Sequence, residues 1–98
     1  MTHSTEAQDR FERILRRQAE MADTQAAIAA KDPHYQRVSD PLDSARLRRL
    51  ADEFRTTFSD RELTALETWD EEYMNILAVA IGHGAPLRPY GAPQTMLR

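Results

Sequence analysis

Phe11, Ile14, Met21 and Ile28 recur at the a and d positions of a heptad, and the two a positions between them hold Gln18 and Gln25. At about 100° per residue this spacing predicts an amphipathic helix. Its apolar stripe comprises Ala7, Phe11, Ile14, Leu15, Met21, Ala22, Ile28 and Ala29, with the two glutamines along its middle. Thr5 and Gln8 have the spacing of a capping box, so the helix is expected over residues 5–30, stopping before Asp32-Pro33. A second helix is expected over 41–57, with Asp40 as N-cap, Pro41 in the first turn, and Leu47, Leu50, Ala51, Phe54 and Phe58 on one face flanked by Arg46 and Arg55. Ser59 and Glu62 form another capping box, which predicts a third helix over 60–81. Its apolar face carries Leu63, Leu66, Tyr73, Met74, Leu77, Ala80 and Ile81, with Trp69 and Ile76 at the edge and Asp70 inside it; Gly82 is the expected stop.

No stretch sustains the period-two alternation of a strand, so the fold class is all-α. Residues 1–81 read as one helical domain, a long N-terminal helix plus a tightly connected helix pair. Residues 82–98 hold three of the five prolines and all three glycines and read as an extended tail. At 98 residues, with only seven aromatics among an alanine-rich apolar set, the expected core is thin and would gain from a partner surface.

Three polar side chains on apolar faces are the informative departures. A buried amide without partners costs about 1–3 kcal/mol. In coiled coils a polar a-position residue fixes register and oligomer state. Phe11, Ile14, Gln18, Met21, Gln25, Ile28 and Asp70 are therefore the candidate interaction and register residues, with the glutamines pairing across a homodimer seam through the first helix. Asp70 reads as a structural carboxylate held by Arg46, Arg55, a glutamine or Tyr73; a small helical enzyme built around Asp70 and Tyr73 is the third alternative.

Charge divides unevenly. The net charge is −3, but residues 59–81 carry six acids and one base, facing arginine-bearing first and second helices. Complementary flanks within a bundle or across a dimer are expected. Arg10, Arg13 and Arg17 line one side of the first helix, with Arg16 adjacent, and Arg46, Arg48 and Arg49 cluster on the second, which gives the alternative of a nucleic-acid-associated regulator. Acidic residues interleave with these arginines, and the helix that would enter a groove is the acidic one, which phosphates repel.

Conventional sites are missing. There is no cysteine, and His3, His34 and His83 are isolated, so neither a metal nor another cofactor is expected. "GHGAP" follows a helix instead of opening one and reads as a stop, not a phosphate cradle. The N-terminus lacks the apolar core of a signal peptide, and the longest apolar run, Ile76 to Ile81, is too short to span a membrane. A cytoplasmic setting with no membrane partner is therefore expected. The tail segment Pro86, Arg88, Pro89 and Tyr90 has a spacing suited to polyproline geometry and is a candidate for docking. These observations point to a small non-enzymatic interaction module, a regulator, adaptor or inhibitor, that binds itself and a further protein.

Overall fold

The computed structural model describes residues 3–34 and 42–89, with side chains from residue 6 onward. Every regular element among them is helical: α1 (His3–Lys31), α2 (Ser44–Thr57), α3 (Asp60–Ala65), a 3₁₀ turn (Leu66–Thr68) and α4 (Glu71–Gly82).

The first helix begins at His3, two residues before the expected cap, so Thr5 lies inside it. Nothing in His3 or Ser4 forbids helical geometry, and the helix continues through both. It ends before Asp32-Pro33, where Asp32 N–H still bonds the Ile28 carbonyl at 2.9 Å and the Asp32 carboxylate accepts from His34 N–H at 2.9 Å. The expected cap of the second helix, Asp40 with Pro41, lies outside the described residues. The N-cap is Asp43, whose carboxylate accepts from Arg46 N–H at 3.1 Å. Its own N–H reaches the Gly82 carbonyl at 2.8 Å and ties the start of α2 to the end of α4.

The capping box at Ser59 forms as expected: Ser59 Oγ accepts from Glu62 N–H at 3.1 Å, and Glu62 Oε1 accepts from Ser59 N–H at 2.8 Å. The third predicted helix is nevertheless two. After Ala65 the chain tightens into the 3₁₀ turn, Trp69 adopts extended geometry, and Asp70 caps α4 by accepting from Tyr73 N–H at 2.8 Å. This break turns the Trp69 indole inward, to 6.1 Å from the Phe11 ring and 4.8 Å from Tyr73. Gly82 is the last helical residue rather than the stop. The positive φ (115°) that favours glycine falls at Gly84.

Ion pairs fix the directions. Arg55 meets Asp9 and Glu12, Arg16 meets Asp52, and Arg48 meets Asp23, so α1 and α2 run antiparallel. Phe11 lies against Trp69 and Gln18 against Asn75, so α1 and α4 run parallel. The core they enclose is centred on Phe11, Phe54, Phe58, Trp69 and Tyr73, with Leu15, Leu47, Leu50, Leu66, Met74 and Ile81 around them. Phe11 and Phe54 pack edge to face at 5.2 Å.

Residues 83–89 turn back along the bundle. The Arg46 guanidinium donates to the Ala85 carbonyl, Leu87 packs against the core, and Arg88 reaches Glu62 at 3.0 Å, near the start of α3. The described part of this segment thus lies against the chain's own helices, with Pro89 buried and Pro86 exposed; Tyr90 lies outside the described residues.

Candidate interaction surface

The buried stripe of α1 stops about two thirds of the way along the helix. Ala7, Phe11, Ile14, Leu15, Gln18, Ala19 and Ala22 are buried, whereas residues 23–31 are exposed apart from a half-buried Ala29. The cause is length. At 1.5 Å per residue the 29 residues of α1 span about 43 Å and the 14 of α2 about 21 Å. The heptad continues past the point where its companions end, leaving Ile28 42% exposed, while Met21, on the flank beside α4, is 47% exposed. Phe11 and Ile14 therefore belong to the chain's own core, while Met21, Gln25 and Ile28 do not.

The two glutamines have different explanations. Gln18 is 8% exposed, and its Nε2 donates to Asn75 Oδ1 at 3.2 Å. Asn75 Oδ1 also accepts from Arg17 Nη2 at 3.2 Å, and Asn75 Nδ2 donates to the Glu71 carbonyl at 3.0 Å. The Arg17 guanidinium lies 3.6 Å from the Glu71 carboxylate. These bonds form a polar seam between α1 and α4 that satisfies Gln18 within one chain. Gln25 lies beyond it in the exposed end. The expectation that both glutamines pair with symmetry mates is thus corrected for Gln18. Asn75, its actual partner, sits on a helix flank where no periodicity marks it.

Asp70 is also reassigned. It is exposed, not buried in an apolar face, and its carboxylate is engaged as a helix cap. The residues once paired with it lie elsewhere: Arg55 is held by Gln8, Asp9 and Glu12 and stacks 4.7 Å over Phe54, and Arg46 bonds the Ala85 carbonyl. Tyr73 Oη and Trp69 Nε1 are buried without a hydrogen-bond partner, and burial pushes the Tyr73 phenol above its ordinary value. Sequence reasoning could have found the cap: Asp70 followed by Glu71 and Glu72 is an N-cap with an acidic first turn.

Charge complementarity lies mostly between α1 and α2 and only secondarily on the acidic segment, where Arg17–Glu71 and Arg88–Glu62 contribute. Hydrogen bonds from Arg55 and then Arg16 hold the Glu12 carboxyl below the usual range; those from Ser44 and then Arg48 do the same for Asp23. Of the seven arginines proposed to meet phosphates, Arg16, Arg17 and Arg48 are neutralised by carboxylates and Arg46 is taken up by backbone carbonyls. Arg10, Arg13 and Arg49 have no such partner among the described residues.

Among the described residues no group of acidic and histidine side chains is arranged to hold a metal, and no helix is long and apolar enough to cross a membrane. Fold and surface define a helical bundle with one over-long helix. Compared with known proteins, the chain matches no family model, no curated protein and no solved structure.

Proposed function

We propose that the chain is a small non-enzymatic interaction module that binds another polypeptide through the exposed flank of α1 that carries Met21 and Ile28. The observation that carries this reading is the exposure of Met21 and Ile28, two apolar positions of the heptad that the other helices leave uncovered. Exposed apolar side chains at helical spacing on one flank suit the burial of a partner helix. The helix stands ready-made, so its ordering does not subtract from affinity. A reducing, cytoplasmic setting belongs to the same reading, since the sequence contains no cysteine. Regulator, adaptor and inhibitor are roles such a module serves through its partner.

The test is site-specific photo-crosslinking in cells expressing the full chain. A photo-reactive residue at Met21 is expected to give covalent adducts to another polypeptide, of either the same or a different sequence. The same residue at Glu53, exposed on α2, is the control and is expected to give none. Equal labelling from both positions, or none from Met21, refutes the reading.

A further inference from the structure

The side of the molecule that carries the free flank of α1 also carries a second unpartnered strip. At about 100° per residue, Arg10, Arg13, Arg17, Met21 and Ile28 fall within an arc of about 80° on the α1 flank towards α4. On α4, Glu72, Ile76 and Val79 fall within about 60°, turned away from the core. Ile76 is 39% and Val79 36% exposed. Arg10, Arg13 and Glu72 have no hydrogen-bond or ion-pair partner among the described residues.

Both strips change character in the same direction: basic then apolar along α1, acidic then apolar along α4. Their heights also agree. The Gln18–Asn75 bond sets these two residues level on parallel helices. With a rise of 1.5 Å per residue, Arg13 then lies within about 3 Å of the level of Glu72, and Met21 lies between the levels of Ile76 and Val79.

We propose that the partner of the α1 flank is a second copy of this chain, and that the α1–α4 face of one copy packs on the same face of the other about a two-fold axis running along the helices. This inference rests on the interaction-module reading and names its partner. Rotation about such an axis places α1 opposite α4 of the second copy and leaves every height unchanged. Arg13 thereby comes opposite Glu72 of the second copy, and Met21 comes opposite its Ile76 and Val79, each contact occurring twice. The other face-to-face two-fold, with its axis across the helices, lays α1 on α1 in antiparallel. Centred on Met21, that arrangement sets Arg10 level with Asp32 and next to Lys31 of the second copy, so that its charges offset, and leaves Glu72 without a cation. Charge complementarity selects the first arrangement. With three apolar side chains on each side the interface belongs to the small, salt-sensitive class, and micromolar association is expected.

The experiment is sedimentation equilibrium on the full chain and on charge-reversed variants. The wild-type mass is expected to rise with concentration from 11.3 kDa towards twice that value. Arg13→Glu and Glu72→Arg are surface changes, so each chain is expected to keep its helical circular dichroism. Each is expected to self-associate about tenfold more weakly, because its homodimer contains two like-charge pairs. Mixed together, the two variants form a heterodimer in which every such pair is of opposite charge, and association is expected to return to the wild-type level. A mixture no stronger than its components overturns this face-to-face register. So does a wild-type dimer abolished by Met21→Asp but indifferent to Ile76→Asp, which indicates a seam of α1 alone. A wild-type chain that stays monomeric while Met21 crosslinks to a different protein overturns the self-association and leaves the interaction-module reading standing.

Discussion

The Gln18–Asn75 bond is the feature most directly open to measurement, by a double-mutant cycle of Gln18→Ala, Asn75→Ala and the double variant. Gln18 is buried, and a single hydrogen bond of 3.2 Å links its amide to Asn75 across α1 and α4. A neutral hydrogen bond of this kind contributes about 1 kcal/mol net. Asn75 keeps Arg17 and the Glu71 carbonyl when Gln18 is truncated, so no buried group is orphaned and the single-variant cost stays moderate. The coupling energy is therefore expected at about 0.5–1.5 kcal/mol, above the additivity error of about 0.3–0.5 kcal/mol. Urea unfolding followed by far-ultraviolet circular dichroism measures it, at concentrations below the onset of self-association so that mass action does not enter. A parallel cycle between Gln25 and Asn75 is expected to show no coupling, because Gln25 lies exposed beyond the bundle. Coupling within error for Gln18, or equal coupling for Gln25, refutes the account of how a glutamine is accommodated on the buried stripe.

Other perturbations separate the two parts of α1 and the loops that frame the bundle. Phe11→Ala is expected to cost about 3–5 kcal/mol, since the ring is fully buried against Phe54, Phe58 and Trp69. Ile28→Ala is expected to stay within about 0.5 kcal/mol in the same urea titration; equal costs refute the division of the helix. Asp70→Ala is expected to lose about 0.5–2 kcal/mol, and Asp70→Asn much less, because an amide oxygen also caps a helix; thermal unfolding of the pair checks this. Gly84→Ala is expected to lower stability by about 1 kcal/mol through backbone strain alone, as its φ is 115° and no atom crowds the added methyl. In acid, Glu12 and Asp23 give the sign: both carboxyls titrate lower in the folded state than in the unfolded chain. Their contribution is fully present above the ordinary values of 4.5 and 3.8 and is lost as pH falls through the depressed folded values. Urea midpoints measured as the pH is lowered are expected to drop along a shallow limb, and Glu12→Gln is expected to flatten it.

Periodicity made much of this fold legible. The apolar face of α2, the capping box at Ser59 and the end of α1 before Pro33 are all written in local sequence, and local chemistry decides each of them. The break at Trp69 was not legible as a break. The apolar spacing from Leu66 through Tyr73 and Met74 passes for one continuous helical face, although the 3₁₀ turn and the extended Trp69 deliver the same residues to the core by a sharper route. The start of α2 was misplaced because Asp40-Pro41 and Asp43 both carry start signals. The backbone bond from Asp43 to Gly82, a tertiary contact, accompanies the cap that forms. A polar residue on an apolar stripe could be recognised as needing a partner, but Asn75 could not be named, since its place depends on the direction in which α4 runs. Nor could the pattern show where cover for α1 ends, because a hydrophobic stripe reports a face to be buried and says nothing of what buries it.

That last distinction connects the fold to the proposed function. Beyond Ala22 the exposed last third of α1 contains Ala26, Ala27, Ala29 and Ala30, the residue type with the highest helix propensity. A segment joined to a helix already anchored in a core needs no new nucleus, and propagation through alanine is favourable. The exposed end can therefore remain helical without tertiary contacts of its own. Alanine also contributes little apolar area, so the outer surface is concentrated in Met21 and Ile28, about 10 Å apart along the axis. The same composition that thins the core thus yields a preformed helix with two apolar anchors on the flank that carries Arg13, which has no ion-pair partner among the described residues. Recognition at such a surface depends on the matching of a few side chains and charges rather than on buried area.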